Sequence, residues 1–91
     1  MERVVAAEAG GGDGGAALPA NLGAQPLDGM MARAGLSNHD LVAASPVPIA
    51  HKLVMRARRG RRLTLHSKRL VVDAWNAASG ERRTASDLFD Y

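Results

Sequence analysis

Residues 35–62 read GLSNHDLVAASPVPIAHKLVMRARRGRR. Gly35 is placed to end a first helix, since glycine tolerates the backbone conformation that follows a last helical turn. Ser37 is a typical N-cap for a second helix, and Asp40 suits the first turn because its charge complements the helix dipole. The second helix must stop at Ser45-Pro46. This stretch therefore predicts two consecutive short helices joined through a tight connection.

A third helix is predicted immediately after that break. Ser45 can act as its N-cap and Pro46 as its first residue, where the missing N–H of proline costs nothing. We expect the helix over residues 46–59, with Gly60 as its stop. At 100° per residue the apolar and basic side chains fall on opposite arcs. The apolar arc holds Ile49, Ala50, Leu53, Val54 and Ala57, and the other arc holds His51, Lys52, Met55, Arg56, Arg58 and Arg59.

Short helices are also predicted on both sides of this region. Before it, Leu27, Met30 and Met31 have helical spacing and predict a helix over residues 27–34. After it, Thr64 can cap a fourth helix that reaches about residue 78 and has Trp75 on its buried side.

The C-terminal residues predict one more short helix. Thr84 lies three residues before Asp87, which is typical of a capping box, and the helix would bring Leu88 and Phe89 to the core. No segment alternates with a period of two residues, so no sheet is expected. The predicted fold class is an all-α bundle of four to five short helices that contains a helix-turn-helix.

The N-terminal residues 1–26 have a different composition. Glycine is concentrated between Gly10 and Gly23, and large apolar residues are too few to offset the entropy of ordering. We therefore predict a flexible Gly/Ala/Pro-rich tail over residues 1–26 and one helical domain over residues 27–91.

Charge is distributed unequally along the chain. Residues 1–35 contain two arginines and four acids, a net charge of −2, whereas residues 36–91 contain ten basic and five acidic residues, a net charge of +5. Between Lys52 and Arg69 there are eight basic residues and no acid. Cations this close repel one another, so the pattern favours a polyanionic partner, above all nucleic acid, over a purely solvated helix end.

Several other classes of protein fit the sequence poorly. The chain has no cysteine, which excludes disulfides and thiolate metal sites, and no apolar run approaches the roughly 20 residues of a membrane span. The opening residues resemble neither a secretory signal nor a transit peptide, so we expect a cytoplasmic protein without a membrane partner. His39, His51 and His66 lack the spacing of a helical metal site. We expect no enzyme activity, no catalytic residues, no cofactor and no metal.

The order of these motifs resembles the lambda-repressor/Cro-like (XRE-type) helix-turn-helix domains. Those families show a Gly-Leu-Ser/Thr-x-x-Asp/Glu-Leu segment, and residues 35–41 here read Gly-Leu-Ser-Asn-His-Asp-Leu. They place an Arg-Gly-Arg-Arg-like run and a Leu/Thr/Ser-led helix after the recognition helix, and residues 59–64 read Arg-Gly-Arg-Arg-Leu-Thr. Residues 86–89, Ser-Asp-Leu-Phe, match the short last helix of the family. The resemblance spans about residues 27–90.

The resemblance implies a small DNA-binding transcriptional regulator whose third helix lies in the major groove of double-stranded DNA. It places Lys52, Met55, Arg56 and Arg59, together with His51, toward the groove. It places Arg58, Arg61 and Arg62 on backbone phosphates, with Asn38 and His39 near the flanking backbone. Related domains bind as two-fold dimers, so a homodimer is compatible with it. Two alternatives use the same cations: an RNA-binding module, and a helical adaptor that binds an acidic protein.

Overall fold

The computed structural model of the protein describes residues 21–91. Within this range five α-helices form and no β-strand does; a single antiparallel bridge joins Asn21 to Arg61. The helices are α1 (Pro26–Ala34), α2 (Asn38–Ala44), α3 (His51–Arg59), α4 (Leu65–Ser79) and α5 (Ala85–Leu88). The predicted all-α bundle is confirmed. The part of the predicted tail that covers residues 1–20 lies outside the described residues.

Residues 21–25, which the composition had assigned to the tail, lie against the end of α3. The backbone N–H of Leu22 donates to the carbonyl of Gly60 at 2.8 Å, and that of Gln25 donates to the carbonyl of Arg58 at 3.0 Å. The last carbonyls of a helix have no N–H donor within the helix, and residues 21–25 provide backbone N–H donors for the end of α3. The packed part of the chain therefore begins before residue 27.

The predicted helix N-termini are confirmed in detail at three positions. The Ser37 backbone N–H donates to the Asp40 carboxylate at 2.7 Å, and the Ser37 hydroxyl accepts from the Asp40 N–H at 3.1 Å, which completes a capping box. Thr84 and Asp87 form a capping box at α5, where the Thr84 N–H donates to the Asp87 carboxylate at 2.9 Å. Thr64 caps α4 by accepting from the backbone N–H of Ser67.

The start of α3 differs from the prediction. The helix begins at His51 rather than at residue 46, and its N-cap is Ala50 rather than Ser45. Ser45 instead caps the C-terminus of α2. The reason is that Pro48 disfavours the helical conformation for Val47, which would have been the second residue of the predicted helix. The connection between α2 and α3 consequently spans residues 45–50, and Ile49 reaches the core from it rather than from a helix.

The core draws on all five helices. α4 packs against α2, α3 and α5, and α1 packs against α3 and α5. Trp75 is 2% exposed, which confirms its predicted place in the core. α4 has 15 residues and is the longest helix of residues 21–91, where none is long and apolar enough to cross a membrane. The buried apolar residues are Leu27, Met31, Leu41, Val54, Ala57, Val71, Val72, Ala74, Trp75, Leu88 and Phe89.

Candidate nucleic-acid interface

α3 has one buried face and one exposed face. Val54 and Ala57 are completely buried, and they hold the helix against the core. On the other side the exposed residues recur at positions i, i+3, i+4 and i+7, so they form one stripe along the helix. The stripe consists of Lys52, Met55, Arg56 and Arg59.

A shallow surface depression runs beside this stripe. It is lined by Lys52, Met55, Arg56, Arg59 and Arg61, and no carboxylate of residues 21–91 lines it. Four positive charges are thus gathered around one concave surface. Residues 21–91 place no negative charge in this depression, and phosphate groups can supply it. Such an arrangement therefore attracts a polyanion. We call these five residues the basic face.

Exposed residues continue beyond the basic face at both ends of α3. Gly60 ends the helix, and Arg61 and Arg62 are both exposed directly after it. His51, at the first position of α3, is exposed at the opposite end. Seven of the eight residues predicted to bind nucleic acid are therefore exposed on α3 or directly beyond it: His51, Lys52, Met55, Arg56, Arg59, Arg61 and Arg62.

Arg58 is placed differently from these seven. Its Nε donates to Asp28 Oδ1 at 2.6 Å, and its Nη1 donates to Asn38 Oδ1 at 2.7 Å. The guanidinium is thus bound by α1 and α2, where the resemblance had implied a phosphate contact. Asn38, expected near the flanking backbone, is engaged in the same contact. Arg58 therefore fixes the orientation of α3 relative to the two helices before it.

Gln25 is a structural residue of this region that the sequence did not indicate. It is 2% exposed, and its Oε1 accepts a hydrogen bond of 2.8 Å from the backbone N–H of Asp90. Its Nε2 donates to the carbonyl of Gly23 at 3.0 Å. One buried amide thereby joins the segment before α1 to the segment after α5, next to the last turn of α3. No local pattern points to it, since its partner lies 65 residues away.

Tyr91 holds the segment that carries Arg61 and Arg62. Its hydroxyl accepts from the backbone N–H of Leu63 at 3.1 Å and donates to the carbonyl of Arg61 at 2.9 Å. Lys68 Nζ lies 3.9 Å from the centroid of the Tyr91 ring, a favourable cation–π position. These contacts fix the backbone between α3 and α4, and with it the points from which both arginine side chains project.

The structure also brings two distant histidines together. The rings of His39 in α2 and His51 in α3 stack with centroids 5.8 Å apart and planes 17° apart. Both side chains are exposed, at the N-terminal ends of the two helices. Their separation in sequence gave no sign of this contact. Among residues 21–91 no group of three or more His, Cys, Asp or Glu side chains is arranged to hold a metal ion.

The side chains of Ser37 and Asp40 are occupied by the capping box. The backbone N–H and the hydroxyl of Ser37 both donate to the Asp40 carboxylate and lower its pKa below the ordinary value, because these hydrogen bonds favour the charged form. This carboxylate is therefore an acceptor held in place at the start of α2, which agrees with its predicted role as first-turn acid.

Comparison of the chain with protein-family models, with curated proteins and with solved structures finds no match.

Proposed function

We propose that the protein is a small DNA-binding protein of the helix-turn-helix type, a transcriptional regulator that places α3 in the major groove of duplex DNA. The observation that carries this proposal is the basic face. It gathers Lys52, Arg56, Arg59 and Arg61 around one depression that no carboxylate of the described residues lines. Neutralising such a cluster by phosphates releases the counterions of the DNA and favours binding.

The packing of α2 and α3 supports the same proposal. The two helices are consecutive and in contact, with α1 before them and α4 behind them. With its side chains an α-helix is about 10–12 Å in diameter. The major groove of B-DNA, about 12 Å wide, accepts a helix of this kind. The motif order described for the lambda-repressor/Cro-like domains points to the same function.

The arginines on α3 and directly after it differ in their roles in the proposed complex. Arg56 and Arg59 project from the middle and the end of the exposed stripe, where bidentate contacts to guanine are the commonest specific contacts of arginine. Arg61 and Arg62 follow the helix and suit backbone phosphates, which fix position without reading sequence. Arg58 is assigned to bracing α3 rather than to phosphate.

The proposal treats the chain as a binding protein and not as an enzyme, because Ser37 and Asp40 are engaged in capping. A cytoplasmic location and a homodimer on a two-fold DNA site belong to the same proposal. The dimer is tested separately by sedimentation of the protein with and without duplex DNA.

The central experiment measures fluorescence anisotropy of labelled random-sequence duplex DNA over a salt series. The wild-type protein should show a steep linear decrease of log affinity with log salt. Binding to random-sequence DNA rests almost entirely on phosphate contacts, so every cation of the surface counts there, including those that would read bases in a specific complex. In the double variant Arg56→Ala/Arg59→Ala the slope should therefore decrease by up to about two, since each phosphate contact contributes about one unit.

A matched control removes two exposed arginines elsewhere. Arg33 and Arg82 lie on α1 and in the segment before α5, so Arg33→Ala/Arg82→Ala makes the same charge change away from the basic face. The control should keep the wild-type slope. Equal slopes for the two double variants would instead indicate a response to net charge alone.

Competition distinguishes the two alternative partners. Unlabelled duplex DNA should displace the labelled duplex better than structured RNA does. Preference for RNA would indicate that the basic face binds RNA. If neither duplex DNA nor RNA binds at low salt, an acidic protein partner is favoured.

A further inference from the structure

Met55 is the only apolar side chain of α3 that lies on its exposed stripe. It is 36% exposed, whereas Val54 and Ala57 are completely buried. Lys52 precedes it by three residues, and Arg56 and Arg59 follow it by one and four residues. A large apolar side chain thus lies in the middle of a cationic surface.

Met55 lies at the boundary between two surface depressions. One is the depression of the basic face, and the other is lined by Met55 together with Asp28, Asn38, Arg58 and Arg59. The second depression contains a carboxylate and an amide already bound to Arg58, so it attracts phosphate less than the first. Met55 therefore marks the line at which the surface changes from purely cationic to mixed polar.

The core does not need Met55 at this position. Val54 and Ala57 are buried and Leu53 packs against the core, so the apolar arc of α3 is filled without it. An exposed apolar residue among cations is of use when a ligand presents an apolar group beside its anionic groups. In the major groove the only such group on a base edge is the C5-methyl of thymine.

We propose that Met55 contacts the C5-methyl group of a thymine and makes the basic face prefer duplex DNA that carries thymine at one defined position. This inference rests on the proposed function and adds a residue that determines specificity. The thioether side chain is flexible and polarisable, so it can adapt to the shape of a methyl group. Arg56 and Arg59 beside it would contact neighbouring bases or phosphates, which gives the thymine a fixed register.

The test begins with wild-type protein and a pool of short random-sequence duplexes from which the tightest binders are selected. The enriched duplex is then remade with deoxyuridine in place of each thymidine in turn, which removes only the methyl group. At one or two positions this change should weaken wild-type binding about three- to fivefold, the loss expected for one buried methyl group.

Two variants connect this loss to Met55. Met55→Ala and Met55→Gln should bind the thymine and uracil duplexes equally well, the first because the side chain is too short and the second because it is polar. Leu65→Ala, which shortens another exposed apolar residue that lines neither depression, should keep the preference for thymine. Circular dichroism confirms that each variant is folded.

The possible results separate this inference from the proposed function. Selection without a consensus, or a thymine preference that persists in both Met55 variants, overturns the role of Met55 while steep salt-dependent DNA binding remains. Wild-type protein that binds no duplex overturns both.

Discussion

Arg58 donates a hydrogen bond of 2.6 Å from Nε to Asp28 Oδ1, and this ion pair joins the last turn of α3 to the first turn of α1. Nη1 of the same guanidinium donates to Asn38 at the start of α2. One arginine therefore contacts both helices that precede α3. In a helix-turn-helix the orientation of the recognition helix decides which side chains reach the bases, so this contact links the packing of the bundle to the basic face.

Asp28→Asn should weaken this bracing and strengthen polyanion binding. The side chains of Arg58 and Asp28 are 28% and 43% exposed, so the loss of the ion pair should cost no more than about 1 kcal/mol. The variant also removes a negative charge beside the basic face. We expect a small decrease in urea stability together with tighter binding of duplex DNA at low salt.

Asp73→Asn is the matched control for that experiment, because it removes an exposed carboxylate from α4 with the same change in net charge. It should increase DNA affinity less than Asp28→Asn does. Identical increases would show that Asp28 acts only through the total charge of the protein.

Gln25→Leu should destabilise the protein although the two side chains are similar in size. The part-buried hydrogen bonds to the Asp90 N–H and the Gly23 carbonyl would both be lost, and one such hydrogen bond contributes about 0.5–1.5 kcal/mol. Urea unfolding can be followed by the fluorescence of Trp75, the only tryptophan of the sequence.

Asn21→Leu provides the comparison, because Asn21 is exposed and accepts one local hydrogen bond from Gly23. Its free energy of unfolding should stay close to that of wild type. If Gln25→Leu is equally harmless, the link between the two ends of the domain contributes nothing to stability.

Local sequence signals predicted most of the fold because they act over a few residues. The structure confirms the helices that these signals predicted. The signals are the capping boxes at Ser37 and Thr84, the cap at Thr64 and the helical spacing of apolar residues. The start of α3 was mispredicted for an equally local reason. Pro48 restricts Val47, the residue before it, and this outweighs the tolerance for proline in a first helical turn.

The contacts that shape the candidate site are of another kind. Arg58 is hydrogen-bonded to Asp28, 30 residues away in the sequence, and Gln25 to Asp90, 65 residues away. The His39–His51 stack likewise depends on how α2 lies on α3. A charge pattern shows that a helix is basic, but only tertiary packing decides which arginine forms hydrogen bonds within the protein and which ones stay exposed. Arg58 could not be distinguished from Arg56 or Arg59 by sequence for that reason.

The two capping boxes predict how stability depends on pH. Hydrogen bonds from Ser37 lower the pKa of Asp40, and hydrogen bonds from Thr84 lower that of Asp87. A carboxylate with a lowered pKa in the folded state stabilises the protein above its unfolded pKa, near 3.8. That contribution decreases as the pH falls through the lowered folded value. We expect urea stability to be retained at neutral pH and to decrease in strong acid.

Removing both carboxylates should make the acid loss shallower. Asp40→Asn/Asp87→Asn is compared with Asp73→Asn/Asp90→Asn, which removes two exposed carboxylates outside the capping boxes. The first variant should be less stable at neutral pH and less sensitive to acid, and the second should follow wild type. Parallel pH profiles for both variants would contradict the assignment.

Gly60 and Gly35 test how closely the N-terminal segment packs on α3. Both have positive φ, +84° and +70°, and both end a helix. A Cβ at Gly35 would meet open space, whereas at Gly60 it would meet the Gly23 carbonyl oxygen and lie 2.9 Å from Gln25 Nε2. Gly35→Ala should therefore cost only the conformational strain, about 1–2 kcal/mol. Gly60→Ala adds a clash with backbone to the same strain, so the free energy of unfolding should fall further in this variant than in Gly35→Ala. Urea unfolding of the two variants side by side measures the difference. Equal losses would mean that residues 21–25 move away from α3 at little cost, and the backbone hydrogen bonds that end α3 would then contribute little to the position of the basic face.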